Sequence, residues 1–376
     1  KGGYLTFITT NSWMRADYGK PLQKFFESSD VNPKMLIDFF TFQVFRDVTI
    51  RTNILMLQKA ENQNRLMCCT VEDNKAFKLK DVGKFYEENK KERSFIGKSP
   101  WVFADDEKEA FVNAIKTQGT PLAEWNLSIN RGILSGCDDA FWISSERYQQ
   151  IVSRDEHCKE ILVPHLRGRN IKQYRIGWEG YYLINACNGL KEEGLAPVDI
   201  NDYMPVKEHL DSYYDRLEAR ADKGNTPYNL RNCAYLRDFA KKKIIYPNLT
   251  TRMGFYLDTE GYYINAKAYM IVGKHLGYLT AFFNSVLFRY CFTDDFPIVQ
   301  GDGRELRKSI FQRIPVKDVT DEENAEYERR VMEIQQMKRD DVPTDGKERE
   351  LDLMILAHYG ITTPEQQREL LTKMEE

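Results

Sequence analysis

The first sixty positions alternate between apolar runs typical of strands and one stretch with helical spacing. Four elements are predicted there: a strand at 4–10, a helix at 18–26, and strands at 35–40 and 49–57. The helix would carry Leu22, Phe25 and Phe26 on one apolar side, and Asn32-Pro33 would act as a breaker after it. This order predicts the last part of an α/β sheet, so we expect the chain to be a fragment.

From residue 60 the pattern changes twice. Residues 60–125 combine one short strand at 66–71 with charged helices at 82–91 and 106–116, and we interpret them as a connecting segment. From residue 126, short β-prone pieces separated by Gly, Asn and Asp turns predict a second, β-containing domain. The pieces lie at 132–136, 141–144, 181–185, 243–247 and 262–265.

The last third of the chain is predicted to be helical. Residues 278–292 are apolar with helical spacing and too short to span a bilayer, which predicts a core helix. From Asp321, Glu alternates with Arg and Lys over helical lengths, with breaks at Pro343 and Pro364. The predicted division is the end of a sheet at 1–59, a connection at 60–125, an α+β domain at 126–318 and carboxy-terminal helices at 319–376.

Composition places the chain among globular proteins. Of its 376 residues, 42% are hydrophobic and 30% are charged. Because it has no apolar run of eighteen residues and no signal-peptide pattern, we expect a cytoplasmic protein that does not bind membranes. The seven cysteines are scattered and form no Cys-x-x-Cys pair, which predicts buried or free thiols rather than zinc ligands.

Charge is distributed unevenly along the chain. A net charge of −3 would by itself disfavour a polyanionic partner. Residues 80–110 and 317–376 are rich in Glu and Asp, however, whereas 165–175 and 216–252 are rich in Arg and Lys. A local basic face can bind nucleic acid whatever the total charge.

Most catalytic signatures are missing from the sequence, including glycine-rich phosphate loops and zinc-protease motifs. One nuclease-like Glu-x-Lys occurs at Glu88-Asn89-Lys90, with Asp81 upstream, and such a trio can hold Mg²⁺. It lies in a strongly charged helix, where any Glu has a Lys nearby. We therefore favour a solvated helix face over a metal site.

Two stretches near the start are informative, namely GGYLTFITTNSWM at residues 2–14 and the segment at residues 37–54. They resemble γ-class N6-adenine DNA methyltransferases: the first is similar to the region that follows the family's Asn-Pro-Pro-Tyr motif, and the second is similar to the strands that close its catalytic sheet. Further along, RGILSGCDDAF at 131–141 and LRGRNI at 166–171 resemble the TaqI-like specificity domain of type IIG restriction-modification enzymes. The resemblance continues through 217–247, 279–285 and 314–315 into the closing helices at 350–362.

This resemblance implies a fold and a function. The fold would be an α/β remnant, the end of a Rossmann-like methyltransferase sheet, joined to an α+β target-recognition domain and carboxy-terminal helices. The function would be sequence-specific recognition of double-stranded DNA within an enzyme that methylates adenine N6 and that also cleaves DNA. In such enzymes the target base is extruded from the duplex.

The departures from the family are equally informative. The S-adenosylmethionine loop and the Asn-Pro-Pro-Tyr motif are both missing from this sequence, as is the Pro-Asp…Glu-x-Lys nuclease centre that would use Mg²⁺. We therefore expect S-adenosylmethionine and Mg²⁺ to bind to a missing amino-terminal catalytic region of the same polypeptide. The chain by itself should be catalytically silent.

By the same resemblance, Phe7 is a candidate wall of the pocket for the extruded base, with burial in the strand core as the equal alternative. In the stretch 165–175, Gly168 would allow close backbone approach and Tyr174 would be available for stacking. Asn side chains at 225 and 229 suit adenine edges, as Arg suits guanine. The DNA-binding candidates are Arg131, Ser135, Asp138, Arg167, Arg169, Lys172, Tyr174, Arg175, Arg220, Lys223, Asn225, Asn229, Arg231, Lys241, Lys242 and Arg304.

Each of these groups has a structural alternative, namely a solvated loop, a hairpin cap or a buried anchor. If Lys241, Lys242 and Lys243 contact DNA, we expect them to contact phosphates. Asp302 and Arg307 are candidates, together with Arg304, for contacts to the DNA backbone. Two other functions stay open. One is a non-catalytic protein-interaction or scaffold module, supported by the acidic helices and the near-neutral total charge. The other is a fragment of an RNA methyltransferase.

Overall fold

The structure is a computed structural model that describes residues 2–40, 42–45, 50–71, 77–101, 103, 106–299 and 303–373. These residues form two compact units. The first unit comprises Lys1–Ile115 and Phe292–Glu305, and the second comprises Lys116–Cys291 and Leu306–Glu376.

The elements up to residue 116 follow the hydrophobic pattern closely. The strands are β1 (Tyr4–Thr10), β2 (Asn32–Asp38), β3 (Thr52–Gln58), β4 (Leu66–Thr70) and β5 (Lys91–Arg93), and the helices are α1 (Lys20–Phe26), α2 (Val82–Asn89) and α3 (Asp106–Lys116). Asn32 and Pro33 do not act as a breaker. They lie inside β2, where the register with β3 shifts between Pro33 and Met35, since a bulge accommodates a proline that cannot donate to the ladder. Thr49, predicted to start the third strand, lies outside the described residues.

The strands of the first unit form one mixed sheet in the order β1-β3-β2-β4-β5. Strand β3 is antiparallel to both β1 and β2, whereas β2 and β4 are parallel and β4 and β5 are antiparallel. Strands β4 and β5 come from the segment interpreted as a connection. That interpretation is wrong for these strands, because the buried β4 pairs with β2 and extends the same sheet.

Helix α1 buries only one of the three residues predicted on its apolar side. Leu22 and Phe25 are exposed, whereas Gln23 and Phe26 are buried. The Gln23 amide donates to the carbonyl oxygens of Trp13 and Met14 at 2.8 and 3.0 Å. Two hydrogen bonds to backbone therefore hold a polar side chain inside beside Phe26, whereas Leu22 and Phe25 lie at the surface.

The second unit carries most of the remaining elements. From residue 117 onward the strands are β6 (Thr120–Pro121), β7 (Leu127–Arg131), β8 (Trp142–Ser144), β9 (Leu162–Leu166), β10 (Ile171–Lys172), β11 (Arg175–Ile176), β12 (Tyr181–Ile184), β13 (Lys243–Pro247), β14 (Leu249–Thr250), β15 (Tyr256–Asp258), β16 (Tyr263–Ile264), β17 (Ala268–Gly273), β18 (Arg304–Glu305) and β19 (Pro315–Val316). The helices are α4 (Asp138–Phe141), α5 (Ser145–Arg154), α6 (Met204–Asp211), α7 (Tyr214–Glu218), α8 (Leu276–Asn284), α9 (Val286–Phe292), α10 (Lys308–Phe311), α11 (Asp321–Arg339), α12 (Asp345–His358) and α13 (Pro364–Lys373).

Two four-stranded sheets organise this unit, in the orders β16-β9-β12-β8 and β15-β13-β17-β7. Their buried side chains, among them Leu183 of β12, Ile245 of β13 and Met270 of β17, belong to one hydrophobic core. The predicted piece at 132–136 is not a strand. It is a loop that follows β7 and makes a single bridge between Ile133 and Asn265.

The predicted core helix at 278–292 is two helices, α8 and α9, separated at Ser285. The Asn284 side chain accepts from the Phe255 N–H at 3.0 Å and donates to the Phe255 carbonyl at 2.8 Å. The Ser285 hydroxyl accepts from the Phe288 N–H at 3.1 Å, as a capping side chain does at the start of a new helix. A distant backbone partner for Asn284 and a local one for Ser285 thus accompany the break in an otherwise apolar helical stretch.

Helix α11 begins at a capping box. The Thr320 hydroxyl accepts from the Glu323 N–H, and the Glu323 carboxylate accepts from the Thr320 N–H. Its charged residues pair along the helix surface, as Glu326 does with Arg330. No helix in the described part of the chain is long and apolar enough to cross a membrane.

Candidate nucleic-acid interface

A cleft of about 1110 Å³ opens in the second unit. Its lining combines basic side chains, two carboxylates, three aromatic rings and small or amide residues. The lining residues are Arg131, Asp138, Asp139, Trp142, Arg167, Gly168, Arg169, Tyr181, Tyr213, Asn248, Leu249, Asn265 and Lys267. Four of the predicted DNA contacts, Arg131, Asp138, Arg167 and Arg169, are brought together here.

One side of the cleft is built on the turn between β16 and β17. The Asn265 Oδ1 atom accepts from the N–H groups of Gly168 and Lys267 at 3.2 and 3.3 Å, and the Asn265 N–H donates to the Leu166 carbonyl at 3.1 Å. A Cβ atom on Gly168 would lie 2.4 Å from the Lys267 carbonyl oxygen. The close approach that Gly168 permits is therefore made to this chain's own backbone.

Strand β7 is fixed to the same turn. The Gly132 N–H donates to the Ala268 carbonyl at 3.0 Å, and Arg131 Nε donates to the Ala266 carbonyl. A Cβ atom on Gly132 would lie 2.2 Å from the Asn265 carbonyl oxygen. The backbone of the turn is thus held between two glycines, which places Arg131 and Lys267 on the same cleft.

Arg220 organises the loop that leads to Asp138. Its guanidinium donates to the carbonyl oxygens of Ser135, Pro227 and Asn229. Burial lowers the pKa of this guanidinium from its ordinary value. The Ser135 hydroxyl in turn donates to the Asp138 carboxylate, so a buried arginine holds the loop that presents an exposed acid to the cleft.

The aromatic wall of the cleft follows from strand geometry. Trp142 of β8 lies opposite Leu183 of β12, so Trp142 and Tyr181 project from the same face of the sheet. Arg167 follows β9 on that face, and its guanidinium carbon lies 5.0 Å from the Trp142 ring centre and 4.4 Å from the Tyr181 ring centre. Both distances are within the range of cation–π attraction.

His165 lies beneath this wall. Its ring centre is 4.8 Å from that of Trp142, and the side chain is buried. Burial, with a contribution from the Arg167 charge, lowers the pKa of His165 to about 3. The imidazole is therefore neutral at physiological pH and supports Trp142 without adding charge.

Acidic side chains offset part of the positive charge. Arg169 donates to both carboxylate oxygens of Glu179 at 3.1 and 2.9 Å, and Arg216 pairs with Asp139 at 2.9 Å. Lys267 is exposed and has no carboxylate within ion-pair distance among the described residues. The cleft lining itself carries four basic and two acidic side chains, which favours an anionic ligand.

Several predicted contacts are buried instead of exposed. Tyr174 is 3% exposed, and burial raises its pKa far above 10. The prediction that Tyr174 is available for base stacking is therefore wrong. Ser135, Arg220 and Asn229 are also buried, and their polar groups are used inside the unit; the Asn229 amide, for example, donates to the Val198 carbonyl at 2.9 Å. For these three the structure contradicts the predicted surface contact with DNA.

Most other candidates lie outside the cleft and are exposed with partners of their own. The acidic partners at ion-pair distance are Asp341 for Arg175, Asp222 for Arg231, Asp238 for Lys241 and Glu328 for Lys242. Lys223 donates to the Glu218 carbonyl, and Asn225 shares hydrogen bonds with Asn188. Lys172 is exposed without an ion-pair partner in the described ranges. Their contact with DNA stays a prediction.

Phe7 and Arg304 belong to the first unit. Phe7 is partly exposed and packs against the core around Trp13 and Leu36, so its role in a base pocket stays a prediction. Arg304 points inward, because it donates to the Phe296 carbonyl at 3.0 Å and lies 3.4 Å from Asp294. Its guanidinium is used inside the first unit, which contradicts the prediction that Arg304 contacts the DNA backbone. Asp302 lies outside the described residues.

The Glu-x-Lys motif lies on an exposed face of α2. Glu88 is 3.8 Å from Lys84, and Lys90 pairs with Glu87. This agrees with the interpretation as a solvated helix face. In the described ranges, no group of three or more His, Cys, Asp or Glu side chains is arranged to hold a metal ion. The seven cysteines form no disulfide bond, and five of them are buried.

Sequence reasoning missed Trp142, Tyr181, Tyr213 and Lys267. The segments FWIS and YYLI are short β-prone runs, and in any strand the side chains at i and i+2 share a face, which would place Trp142 with Ser144 and Tyr181 with Leu183. Trp142 and Tyr181 lie on the same face of the sheet because β8 pairs with β12, and no local sequence pattern predicts that pairing. Lys267 likewise reaches the cleft only because its turn is held between Gly132 and Gly168.

Two family profiles match the chain. The TaqI-like C-terminal specificity domain matches residues 163–316, and the Eco57I restriction-modification methylase matches residues 1–45. None of the curated proteins compared with the chain matches it.

One solved restriction-modification enzyme has a similar fold, and two further structures align with lower scores. The type IIL restriction-modification enzyme MmeI in complex with DNA aligns with a TM-score of 0.58 at 9% identity, over 98% of this chain and 48% of that one. The type IIG restriction endonuclease BpuSI aligns with a TM-score of 0.42 at 11% identity, over 97% of this chain and 48% of that one. The DrdV-DNA complex aligns with a TM-score of 0.42 at 8% identity, over 90% and 38%.

This chain therefore spans about half the length of the first two of these enzymes. The likeness to MmeI extends across nearly all of this chain, and the specificity-domain match contains Arg167, Arg169, Tyr181 and Lys267 of the cleft. The sequence-based resemblance to restriction-modification enzymes is confirmed: the chain contains a TaqI-like C-terminal specificity domain, preceded by a segment that matches the Eco57I restriction-modification methylases.

Proposed function

We propose that this chain recognises a specific sequence in double-stranded DNA and that the cleft of the second unit makes the principal contact. The observation that carries the proposal is the cleft itself, in which four basic side chains and three aromatic rings converge. Nine of its thirteen lining residues lie within the match to the specificity domain. Basic side chains suit the phosphate backbone, and arginine at a groove suits base edges.

In the complete enzyme, this recognition would serve adenine N6 methylation. The methylase match at residues 1–45 supports a methyl-transfer role, and an adenine within a duplex must be extruded before its amino group can react. S-adenosylmethionine would supply the methyl group when bound. We assign its main site, and the Mg²⁺ site of any nuclease, to parts of the enzyme other than this chain, because the sequence has neither a glycine loop for the cofactor nor the Asn-Pro-Pro-Tyr motif.

The experiment that tests this function is selection of bound duplexes from a random DNA pool by the 376-residue chain at two salt concentrations. We expect enrichment of one short motif and binding that weakens with salt. Replacing Arg169 and Lys267 together by Ala should lower the slope of log affinity against log salt by about 0.9 for each lost phosphate contact. The matched control is the double variant Arg329→Ala and Lys159→Ala, because both side chains are exposed and lie outside the cleft.

Three outcomes would contradict the proposal. If the chain retains no DNA even at low salt, nucleic-acid binding is excluded, and the alternative of a protein-interaction or scaffold module is favoured. Competition by structured RNA that exceeds competition by duplex DNA would indicate an RNA methyltransferase. Equal loss of salt dependence in the cleft and control variants would show that the cleft is not the contact surface.

A further inference from the structure

The guanidinium of Arg167 is held against two aromatic rings, whereas those of Arg131 and Arg169 donate to a backbone carbonyl and to a carboxylate. It lies against both Trp142 and Tyr181, and its side chain is 25% exposed, compared with 64% for Arg169. Two aromatic contacts fix the plane of a guanidinium as well as its position. Arg167 is therefore oriented before any ligand arrives.

Its hydrogen-bonding capacity is nevertheless unused. The Nε atom is buried without a partner. The nearest carboxylate oxygen, on Glu179, is 3.8 Å from Nη1, which is beyond hydrogen-bond distance. Neither terminal nitrogen donates to another side chain or carbonyl in the described part of the chain. A buried Nε leaves the two terminal Nη groups as the donors that a ligand in the cleft can reach.

A fixed pair of parallel donors suits a base edge better than a phosphate. Guanine presents two acceptors, O6 and N7, side by side in the major groove, and arginine pairs with both at once. That pairing requires a defined guanidinium plane, whereas a phosphate accepts from many directions. An unrestrained arginine loses up to about 2 kcal/mol of side-chain conformational entropy when it becomes ordered on binding. The aromatic contacts already order Arg167 before binding.

We propose that Arg167 determines specificity in the cleft by reading a guanine through its two terminal nitrogens, while Arg169 and Lys267 contact phosphates. Trp142 and Tyr181 are positioning residues that hold the guanidinium. The inference rests on the proposed function and deepens it, since it assigns one base of the recognised sequence to one side chain. Lys267 has no acidic partner in the described ranges, and Arg169 is mostly exposed in its ion pair with Glu179, a surface pair that a phosphate can replace.

The test compares Arg167→Lys with Arg169→Lys, because each variant keeps its charge and loses the planar fork. Duplexes carrying the motif selected by the unmodified chain, and duplexes with each base pair of that motif exchanged, would compete for binding. For Arg167→Lys we expect discrimination at one G·C position to fall by about 5- to 150-fold, with discrimination at the other positions retained. Arg169→Lys should keep discrimination at every position.

The aromatic contacts give a second readout. Tyr181→Leu should weaken discrimination at the same G·C position, although no charge is changed, and Tyr181→Phe should not, because the ring is retained. Circular dichroism and a thermal unfolding curve would verify that each variant folds. If Tyr181→Leu does not fold, Arg167→Lys alone decides.

The result that would overturn the inference is an Arg167→Lys variant that keeps the full motif, or one that loses affinity equally for all sequences with a smaller salt slope. Arg167 would then be a phosphate contact, and the proposed function would stand. If the unmodified chain selects no motif and retains no duplex at low salt, the proposed function fails and this inference fails with it.

Discussion

The ammonium group of Lys243 lies 2.5 Å from the Asp258 carboxylate, and neither side chain is exposed to solvent. Lys243 also donates to the Phe239 carbonyl at 2.6 Å, and Asp258 accepts from backbone N–H groups of residues 260–262. Burial lowers the pKa of Lys243, and the Asp258 charge partly opposes that shift. The expectation that Lys243 contacts phosphate is therefore wrong, because its charge is used inside the second unit.

Replacing Lys243 by Met should destabilise the second unit strongly. The substitution leaves a buried carboxylate without its counter-charge, and breaking such a pair costs about 3–5 kcal/mol. Urea unfolding followed by tryptophan fluorescence would measure the change in the free energy of unfolding. Lys242→Met is the matched control and should cost less than about 1 kcal/mol, because the Lys242–Glu328 pair is near the surface. Equal effects of the two substitutions would contradict the structural role of Lys243.

Arg220→Met should destabilise the loop that carries Asp138. Three carbonyl oxygens lose a charged donor, each such hydrogen bond contributing about 1.5–3 kcal/mol. We expect a total loss of about 3 kcal/mol or more, measured by thermal unfolding, together with faster proteolysis near residue 135. Arg216→Met, which removes an exposed pair with Asp139, is the control and should change little. An Arg220 variant as stable as the control would argue against this clamp.

The hydrophobic pattern specified local elements well and long-range relationships poorly. Strand β1 and helix α3 have the predicted bounds, because each depends on neighbours within a few residues. The pairing of β2 with β4 and the meeting of Trp142 with Arg167 depend on contacts far apart in the chain, so no local pattern indicates them. Whether a polar side chain is buried or exposed was the property that the sequence predicted least well.

Arg220 and Arg169 show why. Both occur in basic segments and look alike in sequence, yet one donates to three buried carbonyls and the other pairs with Glu179 at the surface. The difference is set by which backbone groups are left without partners once the fold is formed. Those partners come from several distant segments, and so the sequence named Arg131, Arg167 and Arg169 of the cleft but could not separate them from the buried Arg220, and it missed Lys267.

Asp352 should make the stability of the second unit depend on pH. Burial raises the pKa of Asp352 from 3.8 to about 6. The hydrogen bond that Asp352 accepts from the Val286 N–H, and the charge of Arg289, partly oppose that shift. The folded state therefore holds the proton more tightly than the unfolded state. The protonated Asp352 therefore contributes fully to the stability of the folded state below pH 4, and this contribution is lost as the pH rises through about 6.

The substitution Asp352→Asn tests this dependence, because the amide oxygen can still accept from Val286. We expect the variant to resemble the original chain near pH 4 and to be more stable by about 3 kcal/mol at pH 8, since each pKa unit corresponds to about 1.4 kcal/mol. Chemical unfolding at several pH values would measure the difference. Asp340→Asn, at the exposed end of α11, should leave the pH profile unchanged. A constant difference between Asp352→Asn and the original chain at all pH values would contradict the assignment.

Gly168→Ala should disrupt the cleft while leaving its charge intact. The added Cβ atom would lie 2.4 Å from the Lys267 carbonyl oxygen, which is backbone and can yield only if the turn moves. Because that turn also holds Asn265 and contacts Gly132, the movement would displace Lys267 relative to Arg167. We expect a loss of stability of about 1–3 kcal/mol and weaker DNA binding at constant net charge.

Gly177→Ala is the control for this substitution. Its added Cβ atom would meet only the Asn170 carbonyl oxygen, at 4.0 Å, which is ordinary contact. Thermal unfolding and binding to the selected duplex would be measured for both variants. If Gly168→Ala binds DNA as tightly as Gly177→Ala, the position of the turn does not matter for recognition. If Gly168→Ala alone loses binding, the close backbone approach between residues 168 and 267 is needed to place the basic side chains around the DNA.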